Sequence, residues 1–371
     1  MRILFTESSP NIGGQELQAL TQMTTLKGLG HTVLLACREK SKIELEARKR
    51  GHDITFVPFR NSIHIPSILR LRQVIRVFNP DLVICHSGHD SNIAGLSRLI
   101  CCHRFSIIRQ KTYITRRTKT FSLNYLCDVI VVPGTSTLEH LKAEGVRTPV
   151  TVIPPGFDFF RLHNDARQTL PLHIQNWLAS GKNVPLIVQV GMLRHEKGHR
   201  FMLRVLHQLK MAGKLFRWLV VGAGSEEYEA HLRMQIESLG MNEDVLMAGA
   251  LFPALPVYRF ASVVVMPSEN ETFGMVLAEA SASGVPVIAS QTGGIPDVIQ
   301  HNVTGTLLAV GDVAAWTNAL SDFLSQPERF RAMAARARED IEYRFDINKT
   351  VQTMINLAPQ RQRNVQYMIQ D

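Results

Sequence analysis

The chain is 371 residues long, 45% hydrophobic and 20% charged, with a formal net charge of +9 at pH 7. That balance describes an ordinary globular chain of two or three domains and excludes a disordered or collagen-like one. No apolar run approaches the ~20 residues of a spanning helix, and five cysteines with no Cys-x-x-Cys exclude a disulfide framework and a structural zinc site.

The positive excess lies wholly in the first half. Residues 1–160 hold 21 Lys and Arg against 12 Asp and Glu, and residues 161–371 hold 20 of each. Such asymmetry predicts an anionic partner for that half: a nucleic acid, an anionic membrane surface or a phosphorylated substrate. Nucleic acid is set aside because the chain carries no recognition motif. The run 1–6 is too short for a signal-peptide core, so a cytoplasmic location is expected.

In chain order, strands are expected at 2–6, 32–36, 54–57, 82–85, 105–108 and 129–132, with helices between them at 15–28, 66–78 and 135–144 among others. Gly13 and Gly14 follow the first strand and open a helix, the first βα crevice, where open α/β sheets bind ligands. Helix 65–78 sets Ile68, Leu71, Val74, Ile75 and Phe78 on one face and Arg70, Gln73 and Arg76 on the other. It reads as an amphipathic core helix, with membrane contact as a second reading. His86 ends the fourth strand and faces the same crevice, His89 is less well placed, and Cys85 alternates to the opposite face. After the fifth strand come Arg109, Lys111, Tyr113, Arg116, Arg117 and Lys119. This basic loop would either touch phosphates or acidic lipid headgroups, or simply be solvated.

Residues 160–184 are polar and weakly periodic. The expected division is an N-terminal domain over 1–165, a linker over 166–184, a second domain over 185–345 and a C-terminal segment over 346–371. The second half repeats the alternation, with strands at 186–190, 217–221, 245–247, 262–266 and 286–289 and helices at 199–212, 226–239 and 274–283. Two such series predict two doubly wound α/β domains with parallel sheets. The tail reads as helices over 328–343 and 347–357.

Three segments of the second half suggest an anion site. Gly191, Arg194 and Lys197 lie between a strand and a helix, a possible clamp for a diphosphate. Gly222 and Gly224 form a Gly-x-Gly turn without the third glycine of a dinucleotide fingerprint. Glu271 and Glu279 stand eight positions apart, one in a loop and one on a helix opened by Gly274. Eight residues is a little over two turns, so both acids can look toward the helix start, where free N–H groups receive anions. Two acceptors for hydroxyls beside a phosphate cradle suit a nucleotide sugar. Gly293 and Gly294 follow the next strand, permitting either close backbone approach or an ordinary loop.

Together these residues resemble a glycosyltransferase of the large retaining family 4, with the two-domain GT-B fold. The resemblance rests on the Glu-x7-Glu segment with Phe273 and Gly274 inside it and Gly284-Val285-Pro286-Val287 after it. Gly13-Gly14-x-Glu16, Val152 to Asp158, Glu196-Lys197-Gly198 and Gly293-Gly294-Ile295-Pro296 follow in family order. It implies two Rossmann-like domains facing a cleft and closing on the donor, with the last helix crossing back to the N-terminal domain. By position, Glu279 would accept from the ribose hydroxyls and Glu271 from the donor sugar. Phe273, Gly274 and Met275 would offer backbone amides, and Lys197 would neutralise the diphosphate. His86 would stand near the transferred sugar, with Gly13 and Gly14 beside the donor phosphates and acceptor. Where the family has arginine after the clamp glycine, this chain has Met192, with Arg194 two places on.

The implied reaction is metal-independent, front-face transfer with retention, since no Asp-x-Asp occurs and no nucleophile is evident. The donor would be a nucleotide diphosphate sugar, uridine being the implied base, and no separate cofactor is implied. The expected acceptor is a saccharide or lipid-linked molecule of lipopolysaccharide or other envelope-glycan synthesis. Peripheral attachment to the anionic inner-membrane surface would accompany it. A nucleotide-sugar epimerase on the same fold and a non-catalytic carbohydrate or nucleotide binder are the alternatives.

Overall fold

The computed structural model describes residues 1–101, 103–114, 118–181 and 183–358. They form two compact units. One comprises Met1–Val132, Leu138–Gly156 and the chain from Ile347 on; the other comprises Pro133–Thr137 and Phe157–Asp346.

The first unit is built on β1 (Arg2–Glu7), β2 (Thr32–Cys37), β3 (Asp53–Phe56), β4 (Leu82–Cys85), β5 (Ser106–Gln110), β6 (Val129–Val132) and β7 (Val150–Val152). Their order is β3-β2-β1-β4-β5-β6-β7, and every pairing is parallel. The central strands are apolar on both faces, as helices on both sides require: Ile3, Leu4, Phe5, Leu82, Val83 and Ile84 are fully buried. Helix Ile347–Asn356 buries Ile347, Val351, Met354 and Ile355 in the same core as Leu20 and Met23 of helix Gly14–Gly28. The spacing of those four residues makes one apolar stripe at helical period.

The second unit is built on β8 (Leu186–Val190), β9 (Arg217–Val221), β10 (Val245–Gly249), β11 (Val263–Met266), β12 (Val287–Ser290) and β13 (Thr306–Leu308). Their order is β10-β9-β8-β11-β12-β13, again all parallel. In each sheet the winding direction reverses once, at β1/β4 and at β8/β11. Loops leaving the carboxyl ends of such a strand pair splay apart and leave a crevice for ligand. Glu7, Gly13, Gly14, His86 and Asp90 end or follow β1 or β4, and Arg194, Lys197, Glu271 and Gly274 follow β8 or β11.

Two differences from the sequence reading concern the boundary and the edges. The stretch expected as a linker contains helix Leu172–Ser180, and Leu162, Leu170 and Ile174 are buried in the second unit's core. The units therefore divide at Gly156/Phe157 rather than within 160–184. Leu162, Leu170 and Ile174 are spread over two short helices and the segment between them, too sparse a set to read as one element. The strands β7 and β13 were not expected; each has three residues and lies at a sheet edge. Residues 359–371, the end of the expected C-terminal segment, lie outside the described residues. No helix among the described residues is long and apolar enough to cross a membrane.

Candidate active site

In the second unit, β8 runs into loop 191–198 and β11 into loop 267–274, and the two loops are fastened together. The Glu269 amide donates to the Glu196 carbonyl at 2.8 Å. Gly198 adopts φ +72, and a Cβ there would lie 2.3 Å from the Pro267 carbonyl oxygen. Gln189, buried near the end of β8, donates to the Lys197 carbonyl at 2.9 Å. With its backbone so held, Lys197 directs Nζ to Glu271 Oε2 at 2.6 Å, the two side chains being only 24% and 16% exposed.

Glu271 is braced from behind. The Gly294 amide donates to its carbonyl at 2.8 Å. A Cβ on Gly293, at φ +53, would lie 1.9 Å from that same oxygen, and one on Gly294 would lie 2.1 Å from the Thr272 carbonyl oxygen. The paired glycines are therefore demanded by close backbone approach and are not loop punctuation. Gly274 then turns the chain at φ +101 into helix Met275–Ala282, whose first N–H groups have no partner within the helix. The Phe273 ring is buried edge-on to Phe345 at 5.3 Å, which leaves only its backbone for a ligand.

Glu279, about one turn along that helix, accepts from Tyr258 Oη at 3.2 Å. Burial raises its carboxyl to about 7, against the Tyr258 hydroxyl, which lowers it. Burial and the facing carboxylate push the Tyr258 phenol up in turn. Sequence reasoning missed Tyr258. Its signal was weak: a lone tyrosine in an apolar stretch, whose hydroxyl must find a partner once buried. The Arg194 guanidinium faces Glu196 at 3.8 Å, and both side chains are largely exposed.

The crevice of the first unit centres on Asp90. Its carboxylate accepts from Thr6 Oγ1 at 2.8 Å, the His86 amide at 3.0 Å and the Ser87 amide at 2.9 Å. This pins the end of β4 to the end of β1. His86 Nδ1 lies 3.0 Å from the Thr6 carbonyl oxygen. A carbonyl can only accept, so Nδ1 carries the proton and Nε2 keeps its lone pair. That Nε2 is buried without a partner among the described residues, and burial lowers the imidazole below its usual range. The Gly13 amide donates to Glu16 Oε2 at 2.8 Å, and nothing lies within 4 Å of a Cβ built on Gly14. The fold itself does not require glycine at 14; what its absent side chain keeps clear is the space over the helix start.

Glu7, at the end of β1, was also missed. It is fully buried, accepting from the Ser9 amide at 2.8 Å and from Gln15 Nε2 at 3.0 Å. Burial first, then the Asp90 and Glu16 charges, raises its carboxyl to about 8. A folded-state value above the ordinary one means stability fully present below about pH 4.5 and lost as pH rises through about 8. Glu7→Gln should therefore gain stability relative to the native chain over that interval, by about 3 °C or more at its upper end. Thermal melts at pH 5 and 8 test this. A Gln variant whose melting temperature runs parallel to that of the native chain would refute it.

The basic loop after β5 is corrected. Arg109 lies within β5, buried, with Nη1 donating to Ser122 Oγ at 3.3 Å. Lys111 is buried too; Nζ donates to the Tyr113 carbonyl at 3.0 Å, and burial pushes its ammonium down to about 8. Neither presents its charge to a membrane, because β5 carries both into the protein. Lys119 is exposed before helix Thr120–Tyr125, and Arg116 and Arg117 lie outside the described residues.

Comparison with known proteins shows the family. Residues 12–161 match the profile of Glycosyltransferase Family 4, and residues 174–340 match that of Glycosyl transferases group 1. Between them the two profiles take in most of the chain, which belongs to the family 4 glycosyltransferases of GT-B fold. It is 32% identical over 199 residues to a D-inositol 3-phosphate glycosyltransferase of Nocardia farcinica, covering 52% of this chain and 43% of that protein. It is 32% identical over 256 residues to a GDP-mannose-dependent alpha-(1-6)-phosphatidylinositol monomannoside mannosyltransferase of Mycolicibacterium smegmatis, covering 66% of this chain and 65% of that one. Among solved structures, Anabaena Alr3699/HepE in complex with UDP and glucose superposes with TM-score 0.81 at 19% identity, over 96% of this chain and 99% of that one. The match to the inositol-phosphate enzyme thus spans less than half that relative's length.

Proposed function

We propose that the chain is a retaining glycosyltransferase that moves a sugar from a UDP-sugar to a hydroxyl of an anionic saccharide or lipid-linked acceptor in envelope-glycan synthesis, lipopolysaccharide included. The observation that carries this reading is the Lys197–Glu271 pair, 2.6 Å apart, at the β8/β11 switch point and beside the helix start at Gly274. Breaking the bond from sugar C1 to the diphosphate leaves positive charge on the sugar and negative charge on the leaving group. Lys197 and the helix amides stabilise the second, and Arg194 adds exposed positive charge nearby in sequence. Glu271 receives hydroxyls of the sugar, and Glu279, already used to a hydroxyl partner in Tyr258, receives those of the ribose. His86, with Nδ1–H committed to Thr6, offers Nε2 to a sugar hydroxyl, and Gly13 with the open space over Gly14 leaves room for donor phosphates and acceptor. The diphosphate leaves and the acceptor hydroxyl arrives on the same face of sugar C1, the departing phosphate oxygen takes the hydroxyl proton, and no protein–sugar bond forms.

Two features support an anionic acceptor. The positive excess is confined to residues 1–160, and the names of both curated relatives include an inositol phosphate or phosphatidylinositol. A location at the inner face of an anionic membrane fits the same charge. The test is a screen of nucleotide sugars for thermal stabilisation, followed by transfer assays with the best donor on rough lipopolysaccharide and on phosphoinositol acceptors. Product that requires both donor and acceptor supports the reading. Product from donor alone indicates an epimerase, and nucleotide-sugar binding without any product indicates a binding protein.

A further inference from the structure

The first unit carries more exposed apolar surface on one helix than its core explains. Helix Ile65–Phe78 faces inward with Leu71, Val74 and Ile75, all buried. It also turns Ile65, Leu69 and Val77 outward, 67%, 53% and 78% exposed. A helix stabilised only by its inner face has no use for the second apolar set. The neighbouring helix Gly88–Leu99 adds to it at its end, where Leu99 is 72% exposed and followed by exposed Ile100. The two helices meet there: Arg72 Nε donates to the Ile100 carbonyl at 2.9 Å, and Ser97 Oγ donates to the Ile68 carbonyl at 3.1 Å.

Charge identifies the occupant. Residues 54–80 hold four arginines, Arg60, Arg70, Arg72 and Arg76, and no Asp or Glu. Arg70 and Arg72 give side-chain hydrogen bonds to the backbone carbonyls of Phe56 and Ile100, so their positive charge is not spent on carboxylates there. On the outer face Ile65, Leu69, Arg72 and Arg76 follow at helical spacing along one strip of a 14-residue helix. Apolar side chains at one end and guanidinium groups along the rest match the boundary between acyl chains and phosphates. A second copy meeting the same face would set arginines against arginines, which disfavours a symmetric dimer.

We propose that the outer face of helix Ile65–Phe78, with Leu99 and Ile100 beside it, docks on an anionic lipid bilayer. Leu69 and Ile65 enter the headgroup–acyl boundary, and Arg72 and Arg76 hold lipid phosphates. The inference rests on the membrane part of the proposed function and gives it an address, in place of the buried Arg109 and Lys111.

The test is co-sedimentation with phosphatidylcholine vesicles and with vesicles that also contain phosphatidylglycerol, at low and high salt. The native chain is compared with Leu69→Asp and Arg76→Gln, both at exposed positions, and with Met211→Asp on the second unit as a control. The native chain and the control are expected to bind only the anionic vesicles, less at high salt. Arg76→Gln should weaken binding about fivefold, one phosphate contact's worth, and Leu69→Asp by roughly tenfold or more. Nucleoside-diphosphate binding should be unchanged in all three variants. Native binding that neither Leu69→Asp nor Arg76→Gln alters would overturn this address while leaving membrane attachment standing. No binding by the native chain would overturn both. A dimer in solution that Leu69→Asp abolishes would assign the face to a second copy instead.

Discussion

Lys197→Met is expected to lower turnover of a UDP-sugar by about 10²–10³-fold, the usual cost of removing one preorganised group that stabilises developing charge. The variant keeps most of the unbranched apolar stem and loses the ammonium that sits 2.6 Å from Glu271. Two consequences combine. In the proposed reaction the leaving diphosphate loses the lysine of its clamp, and Glu271, only 16% exposed, is left without its cation. Affinity for UDP should fall roughly tenfold, since a charge-assisted contact of this kind is worth about 1.5–3 kcal/mol. Lys197→Arg should restore part of the UDP affinity and less of the turnover, because the charge returns on a planar fork that does not match the ammonium's position. Steady-state kinetics with calorimetric UDP titration separate the two effects. Unchanged turnover in Lys197→Met would remove the clamp from the account.

Glu271→Gln should split binding from reaction. The amide keeps an acceptor for the Thr272 N–H, which Glu271 Oε1 receives at 3.2 Å, and it releases Lys197 from its ion pair. UDP, which makes no use of the sugar subsite, should bind as well as before or a few-fold more tightly. Transfer from the UDP-sugar should fall about 10²-fold, since hydrogen bonds to a charged acceptor are the stronger kind and are lost as the sugar gains charge. Equal loss of UDP affinity and turnover would mean that Glu271 acts only by holding Lys197. A sugar trapped covalently on Glu271 would replace front-face transfer with a two-step route.

Much of the scaffold was readable because its signals are local. The apolar strands and amphipathic helices announce themselves by period, and glycines mark the turns at 13–14, 191, 274 and 293–294. Glu271, Glu279 and Lys197 stood out because they occupy loops and helix starts after strands, where open sheets bind ligands. The residues missed depend on contacts between segments distant in sequence. Tyr258 matters only because Glu279 comes to face it, and Asp90 only because β1 and β4 are neighbours that bring Thr6 and His86 to one carboxylate. Arg109 and Lys111 misled for the opposite reason. A run of basic residues looks solvated, and nothing local reveals that β5 carries its end into the protein. The expected linker failed likewise, since Leu162 and Ile174 sit on two short helices with too few apolar residues to mark a face before the second core is assembled.

The most direct test of the central claim is calorimetric titration of UDP into the native chain and into Glu279→Ala, at a pH above the raised value of about 7 so that the native carboxylate is ionised. One saturable UDP site is expected in the native chain and at least tenfold weaker binding in the variant, the cost of losing a charged acceptor for the ribose hydroxyls. A native chain that binds no nucleoside diphosphate, or a Glu279→Ala variant that binds UDP as tightly as the native chain, would contradict it.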